Sequence, residues 1–435
     1  MKVALIVPKG SKYGKNPYLK AFLEQSDLVS RFYGSWETPN LSLLTIAGLF
    51  PPDADLRFID EDHGETVPFE EEFDFVMLTG MTQQIRRAYE ICIAFHERGV
   101  YSVIGGIHAA IYPWEALEYA DTVMVGEGEE LIPQFLSDFY HGEPKKIYKS
   151  LHFCKLEKSP PPRYDLVNPR LYSSYSIQTT RGCPHTCSYC TLPVMYGSVY
   201  RHKTVEQVIN EIHQIKKVQD SPFVFFADDN MFIDGPYSVN LLAEIQKENI
   251  VWGTQTDIAI AKKPDILKLL KQAGCRWLFI GFENISQQSL ETLDRKRWKA
   301  NLAREYSQMI DAIHGAGINI WGSFMFGTDC DTVDTFSDVC DFTIQNGLYS
   351  GSFTILTPLP GTELFQTMQR EKRILDYDWS RYTFWDVVYQ PLWMTEQELA
   401  QGVAFVYDKF YSPEGVNKRM SLIKKNVLRS ERRAE

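Results

Sequence analysis

The chain has 435 residues, enough for two or three domains, and its 44% apolar and 23% charged residues are those of an ordinary globular protein. A formal net charge of −11 argues against a nucleic-acid binder, because neutralising phosphates takes a basic face. No apolar run approaches the roughly 18–20 residues that span a bilayer.

The opening MKVALIVPKG is too short an apolar run for a signal peptide, is broken by Pro8 and Gly10, and reads as a buried first strand. The compartment expected is cytoplasmic and reducing, so the eight cysteines are thiols or metal ligands. Cys92, Cys154, Cys275, Cys330 and Cys340 are scattered and read as small buried hydrophobes; Cys183, Cys187 and Cys190 are clustered.

Residues 1–145 alternate short apolar runs (3–8, 56–60, 74–80, 101–106 and 121–129) with helical stretches. This predicts a parallel sheet covered on both faces, a flavodoxin-like (Rossmann-type) domain. Gly80, Gly105, Gly106, Gly126 and Gly128 fall at strand ends, where such sheets bind ligands; ordinary turn chemistry accounts for them equally well. Residues 146–174, with Pro160 to Pro162, read as an extended linker.

From residue 175 to 360 the alternation resumes with a longer period. Strands are expected at 176–180, 223–228, 251–256, 277–283, 318–326 and 351–358, a partial (β/α)6 barrel of the TIM type, with its chemistry at the C-terminal strand ends. Residues 361–435 read as mainly helical and end in a basic run, a solvated helix end or a disordered terminus. The aromatic-rich stretches 376–399 and 405–411 read first as a core clamping these helices to the barrel, and second as a wall for an apolar substrate.

The segment RGCPHTCSYC, directly after the first barrel strand, spaces three cysteines as CxxxCxxC. Three thiolates on one loop can share an iron–sulfur cluster of four irons and leave one iron open. The competing reading is a closed zinc site completed by His185 or His202, for which the usual second ligand pair is missing.

The motif, with Tyr189 before its third cysteine and a six-unit barrel behind it, resembles the radical S-adenosylmethionine (SAM) superfamily over about 175–360. The resemblance implies a 4Fe-4S cluster on Cys183, Cys187 and Cys190, with SAM chelated at the open iron and cleaved to a 5′-deoxyadenosyl radical. It sets Tyr189 among the cofactor-contacting residues and implies a small-molecule or lipid-like substrate and an electron donor such as flavodoxin or ferredoxin. The family's usual GGE tripeptide is absent. FADDNMF stands in its place and offers Asp228, Asp229 and Asn230 to the SAM amino group, unless the acids only cap the next helix. Gln255 and Glu283 correspond to positions that contact ribose or carboxylate; Phe326, Gly327 and residues 357–362 correspond to the adenine border. No catalytic acid, base or radical relay is marked by the motif.

The stretches VIGGIHAAIYPWEAL and ADTVMVGEGEELIPQF resemble the cobalamin-binding domain fused ahead of many radical SAM barrels. That implies Gly105, Gly106, Gly126, Glu127 and Gly128 against cobalamin, with Thr79 and Gly80 nearby. The cobalt-ligating DxHxxG motif is missing, and DEDHGE (60–65) has the wrong spacing. With cobalamin bound, the implied reaction is methylation of an unactivated carbon. With the domain serving only as scaffold, it is cyclisation, coupling or rearrangement. A non-catalytic iron–sulfur or zinc protein is the third reading.

Overall fold

The five apolar runs near the N-terminus become parallel strands: β1 Lys2–Val7, β2 Asp55–Asp60, β3 Phe75–Thr79, β4 Tyr101–Gly105 and β5 Thr122–Val125. In the computed structural model, which describes residues 1–11, 14–25 and 37–434, they lie in the order β2-β1-β3-β4-β5, followed by β6 Ile147–Lys149 at the edge. This is the flavodoxin-like order, whose ligand crevice lies outside the carboxyl ends of the strands where the order reverses. Helices cover both faces: Leu131, Ile132 and Phe135 of the helix Gly128–Tyr140 pack on one side, and Ile85, Ile91 and Phe95 of Ile85–His96 on the other. Strand β6 falls inside the segment read as a linker. Its three residues pair only with β5, too short a run to show a period.

The second sheet is built from β7 Ser174–Ile177, β10 Phe223–Phe226, β11 Val251–Thr256, β12 Cys275–Glu283, β13 Asn319–Phe326 and β14 Ser350–Ile355. They are parallel and in simple sequence order, an open six-stranded (β/α) barrel. Between β7 and β10, the two-residue strands β8 Thr180–Arg181 and β9 Arg201–His202 pair antiparallel and close the base of the cysteine loop. Outside the barrel the helices start on strong caps, such as the reciprocal Thr204–Gln207 box of Val205–Val218. Inside, Phe225, Trp277 and Trp321 pack with Phe223 and Phe279 as an aromatic plug. Gly253 makes room for it, since a Cβ there would stand 2.7 Å from the Trp277 ring.

After β14 come helices Glu363–Arg370, Glu396–Tyr411 and Pro413–Ala434, separated by an irregular strap over 371–395. Many aromatics of this region are core, with Tyr382, Tyr389, Tyr407 and Phe410 fully buried, while Tyr377, Trp393 and Phe405 are exposed; none of 376–411 lines the cavities described below. The basic run differs from expectation at Arg419. It is buried over the Phe410 ring at 3.7 Å and donates to the carbonyls of Leu348, Tyr349 and Phe410. Cys330 is exposed, unlike the other four scattered cysteines. No described helix is long and apolar enough to cross a membrane.

Candidate active site

The loop that carries the three cysteines is pinned from several sides. Gly182 opens it with φ +94°, and a Cβ there would stand 2.3 Å from the Val199 carbonyl oxygen, just ahead of the returning strand. Only glycine allows the two arms to pass so closely. Cys187 bridges Asp294, the Ser188 amide donates to the Leu293 carbonyl at 2.9 Å, and the Leu364 amide donates to the Ser188 carbonyl at 2.9 Å. Tyr189 packs with Leu293, Met325 and Leu356. Burial pushes the Cys183 thiol up to about 11 and the Cys190 thiol to about 12, and raises Cys187 as well. At neutral pH such thiols become thiolates only against a strong local positive charge, which a metal centre supplies.

All three thiols line one cavity of about 180 Å³ at the C-terminal ends of the barrel strands. Its other walls follow strand parity. The inward series Phe223, Phe225, Ala227 on β10 continues to Asp229; Gly253 on β11 continues to Gln255; Trp277, Phe279 and Gly281 on β12 lead to Glu283; and Trp321 on β13 leads to Ser323. Asp228 belongs to the opposite series. Fully buried, it accepts hydrogen bonds from the amides and hydroxyls of both Thr179 and Thr180, at 2.6–3.1 Å, tying the end of β7 to β10. It is not a lining residue. Asp229 meets the Gly182 amide at 3.1 Å, and burial pushes its carboxyl up to about 6.

Glu283 adopts φ +65° at a register shift in β12, a strained bulge that aims its carboxylate along the cavity wall. There it pairs with Lys299, which also donates to the Gly281 carbonyl at 2.8 Å. Asn230 lines the cavity with its side chain engaged, donating to Asp257 at 2.6 Å and accepting from the Thr256 hydroxyl at 3.1 Å. Burial works against the ionised Asp257, but hydrogen bonds from His185 and Asn230 outweigh it and hold the carboxyl below its ordinary range. His185 stacks flat on Trp298 at 4.5 Å, and His202 stacks on Tyr237 at 4.0 Å. Phe326, Gly327 and residues 357–362 are not among the lining residues.

A larger cavity, about 290 Å³, lies between the carboxyl ends of the two sheets. Thr79, Gly105, Gly106, Gly126, Glu127 and Gly128 form the first-sheet side, and Gln178, Arg181, Met195, Tyr196 and Ala227 the barrel side. Gly80 stays outside, next to Gln84. Gly106 has φ +90° with a Cβ position 2.7 Å from the Thr79 hydroxyl, so the turn itself demands glycine. Glu127 turns away from the cavity's centre into ion pairs. Arg181 reaches it at 2.7 Å, Arg201 at 2.9 Å and the Cys154 amide at 2.7 Å, while Arg181 also holds Glu129 at 2.8 Å. His63 of DEDHGE is occupied elsewhere, bonded to Asp60 at 2.9 Å and packed on Tyr172.

Residues 177–343, which hold the cysteine loop and the four strands bearing the cavity, match the family model of the radical SAM superfamily. That stretch is a radical SAM domain. The chain is a radical SAM enzyme, and the cofactors that the domain implies are a 4Fe-4S cluster and SAM. Two relatives from Chlorobaculum tepidum are each 28% identical. Bacteriochlorophyllide d C-12(1)-methyltransferase aligns over 87% of this chain and 84% of its own length, and bacteriochlorophyllide d C-8(2)-methyltransferase over 81% and 82%. Among solved structures, the cobalamin-dependent SAM radical enzyme OxsB, with aqua-cobalamin and SAM bound, agrees in fold at a TM-score of 0.72 and 15% identity, covering 99% of this chain and 71% of that one.

Around the radical SAM loop the structure adds residues that motif reading passed over. Lys299 sits within DRKRWK (294–299), a run that reads as a solvated charged turn, yet it is 9% exposed. Asp257 had a sequence signal of its own, a polar residue just past an apolar strand. Arg181 and Arg201 carried none, because their partners come from the other domain.

Proposed function

We propose that the enzyme is a cobalamin-dependent C-methyltransferase that methylates an unactivated carbon of a small or lipid-like molecule in the cytoplasm. The observation that carries this reading is a shared wall. The stretch after Cys190 gives Leu192 to the cysteine cavity and Met195 and Tyr196 to the larger cavity, so the two cavities lie on either side of one loop. The bacteriochlorophyllide methyltransferases among the relatives support methylation of a carbon on a small molecule.

When bound, the cluster with SAM supplies a 5′-deoxyadenosyl radical and cobalamin a transferable methyl group. In this reading Cys183, Cys187 and Cys190 each hold one iron, and Tyr189 keeps their loop packed against Leu293 and Met325. Asp229 would receive the SAM ammonium, Gln255 and Glu283 would meet its ribose or carboxylate, and Lys299 holds Glu283 in place. Asn230 and Asp228 act behind them through Asp257 and the Thr179–Thr180 turn. Gly105, Gly106, Gly126 and Gly128 give the corrin a surface without side chains; Thr79 stands beside it, and Glu127 and Gly80 shape the turns from behind. The stacked rings of His185 and His202 weigh against their joining the cysteines in a zinc site.

Anaerobic reconstitution tests the reading. The wild type should take up about four irons per chain, release 5′-deoxyadenosine from SAM under dithionite, and bind a corrinoid in equal amount. Refusal of every cobalamin form, with SAM cleavage intact, rules out methylation and leaves cyclisation or coupling. A Cys183→Ala variant that still cleaved SAM would refute the cluster assignment.

A further inference from the structure

The outer side of the wall between the two cavities carries a patch that neither cavity explains. Leu151 is 84% exposed, Val199 62%, Val194 47% and Phe153 46%. Phe153 lies under the cysteine loop's return, where a Cβ on Gly197 would stand 2.8 Å from its ring, and the Arg201 guanidinium sits 5.0 Å above it. The segments 150–155 and 194–201 therefore form one surface. Its edge is basic: between residues 145 and 158 stand five lysines and one acid, Glu157, in a chain of net charge −11. Lys149, Lys155 and Lys158 are exposed and flank Leu151 and Phe153 along the chain.

An apolar centre with a charged rim is the anatomy of a protein interface, and a local charge opposite to the rest of the surface steers a partner to one place. We propose that this face docks a small acidic one-electron carrier protein. The proposal rests on the function argued above, in which each SAM cleavage consumes one electron. That electron would leave the carrier, which is oxidised by one step, and pass to the cluster that Cys183, Cys187 and Cys190 would hold; no atom is transferred. The position favours such a partner over others, because the same loop reaches inward to both cavities through Leu192, Met195 and Tyr196.

The test mixes the reconstituted holoenzyme anaerobically with a fully reduced flavodoxin and follows flavin oxidation in a stopped-flow instrument. For the wild type, transfer should slow as salt is raised. In Lys155→Glu/Lys158→Glu it should be slower by about tenfold or more at low salt, with its salt dependence flattened, and Leu151→Asp should slow it at every salt concentration. Dithionite-driven formation of 5′-deoxyadenosine should stay at the wild-type level in all variants, which shows that they fold and hold the cluster. Flavodoxin transfer at wild-type rates in these variants would overturn the proposal. So would variants that lose only binding to phosphatidylglycerol vesicles, which assigns the patch to a membrane surface. A wild type that makes no 5′-deoxyadenosine even with dithionite removes the parent reading, and the docking site with it.

Discussion

Lys299 and Glu283 form an ion pair in the wall of the cysteine cavity, each side chain about nine-tenths buried, at 11% and 10% exposure. Burial opposes charge on the lysine, but the adjacent carboxylate outweighs it and holds the ammonium above its usual range. Lys299→Met leaves the Glu283 charge buried without a partner. The expected loss is about 3–5 kcal/mol, the usual cost of breaking a buried pair from one side. Removing both charges, in Lys299→Met/Glu283→Met, should recover part of it. Thermal unfolding of the two variants beside the wild type checks the order.

Gly182→Ala tests the loop separately from the cysteines. The new methyl meets the Val199 carbonyl in a backbone conformation that costs an L-residue about 1–2 kcal/mol. The arms of the loop must spread, so iron bound per chain should fall sharply while the far-ultraviolet circular dichroism stays unchanged. Full iron content would show that the close crossing is dispensable.

Glu127→Gln bears on the seam between the sheets. Arg181 keeps Glu129, whereas Arg201 loses its only carboxylate partner among the described residues. Destabilisation of about 3–5 kcal/mol is expected, with faster proteolysis of the exposed 150–158 segment. A variant as resistant as the wild type would mean that the cluster of charges does not hold the seam.

His314 predicts a pH dependence. It is 3% exposed, neither ring nitrogen has a hydrogen-bond partner, and burial lowers it to about 4. A base whose folded value is depressed takes up protons first in the unfolded chain, so its stability is complete above pH ~6.5 and is lost as pH falls toward ~4. The shift corresponds to about 3 kcal/mol. His314→Leu should flatten the fall in melting temperature over this window, and an equally steep fall would exclude His314 as its source.

Much of this architecture was readable because continuous apolar strands with glycine-rich ends leave a strong trace. Every one of the eleven anticipated strands is present, with the first barrel strand at 174–177 instead of 176–180. Strands β6, β8 and β9, of two or three residues, are too short to carry a period. Within FADDNMF, alternation already separates the two acids. Phe223 and Phe225 share a face with Asp229, while Val224 and Phe226 share one with Asp228, and knowing which face is inward decides between them. Lys299 was not readable in this way. Its partner is 16 residues earlier on a different element, and only the packed barrel brings them together.

The strap over 371–395 has a consequence for timing. Trp379 stacks on Tyr112 of the first domain, Asp386 accepts the Lys15 amide at 2.8 Å, and Phe384 accepts the amide of Ile355 from the barrel. Both halves of the molecule are thereby stitched together from outside. Any swing that widens the space between the sheets has to undo these contacts first. A bulky group seated there can be exchanged only as fast as the strap lets go, so a lesion in the strap should shorten its stay without touching the cavity.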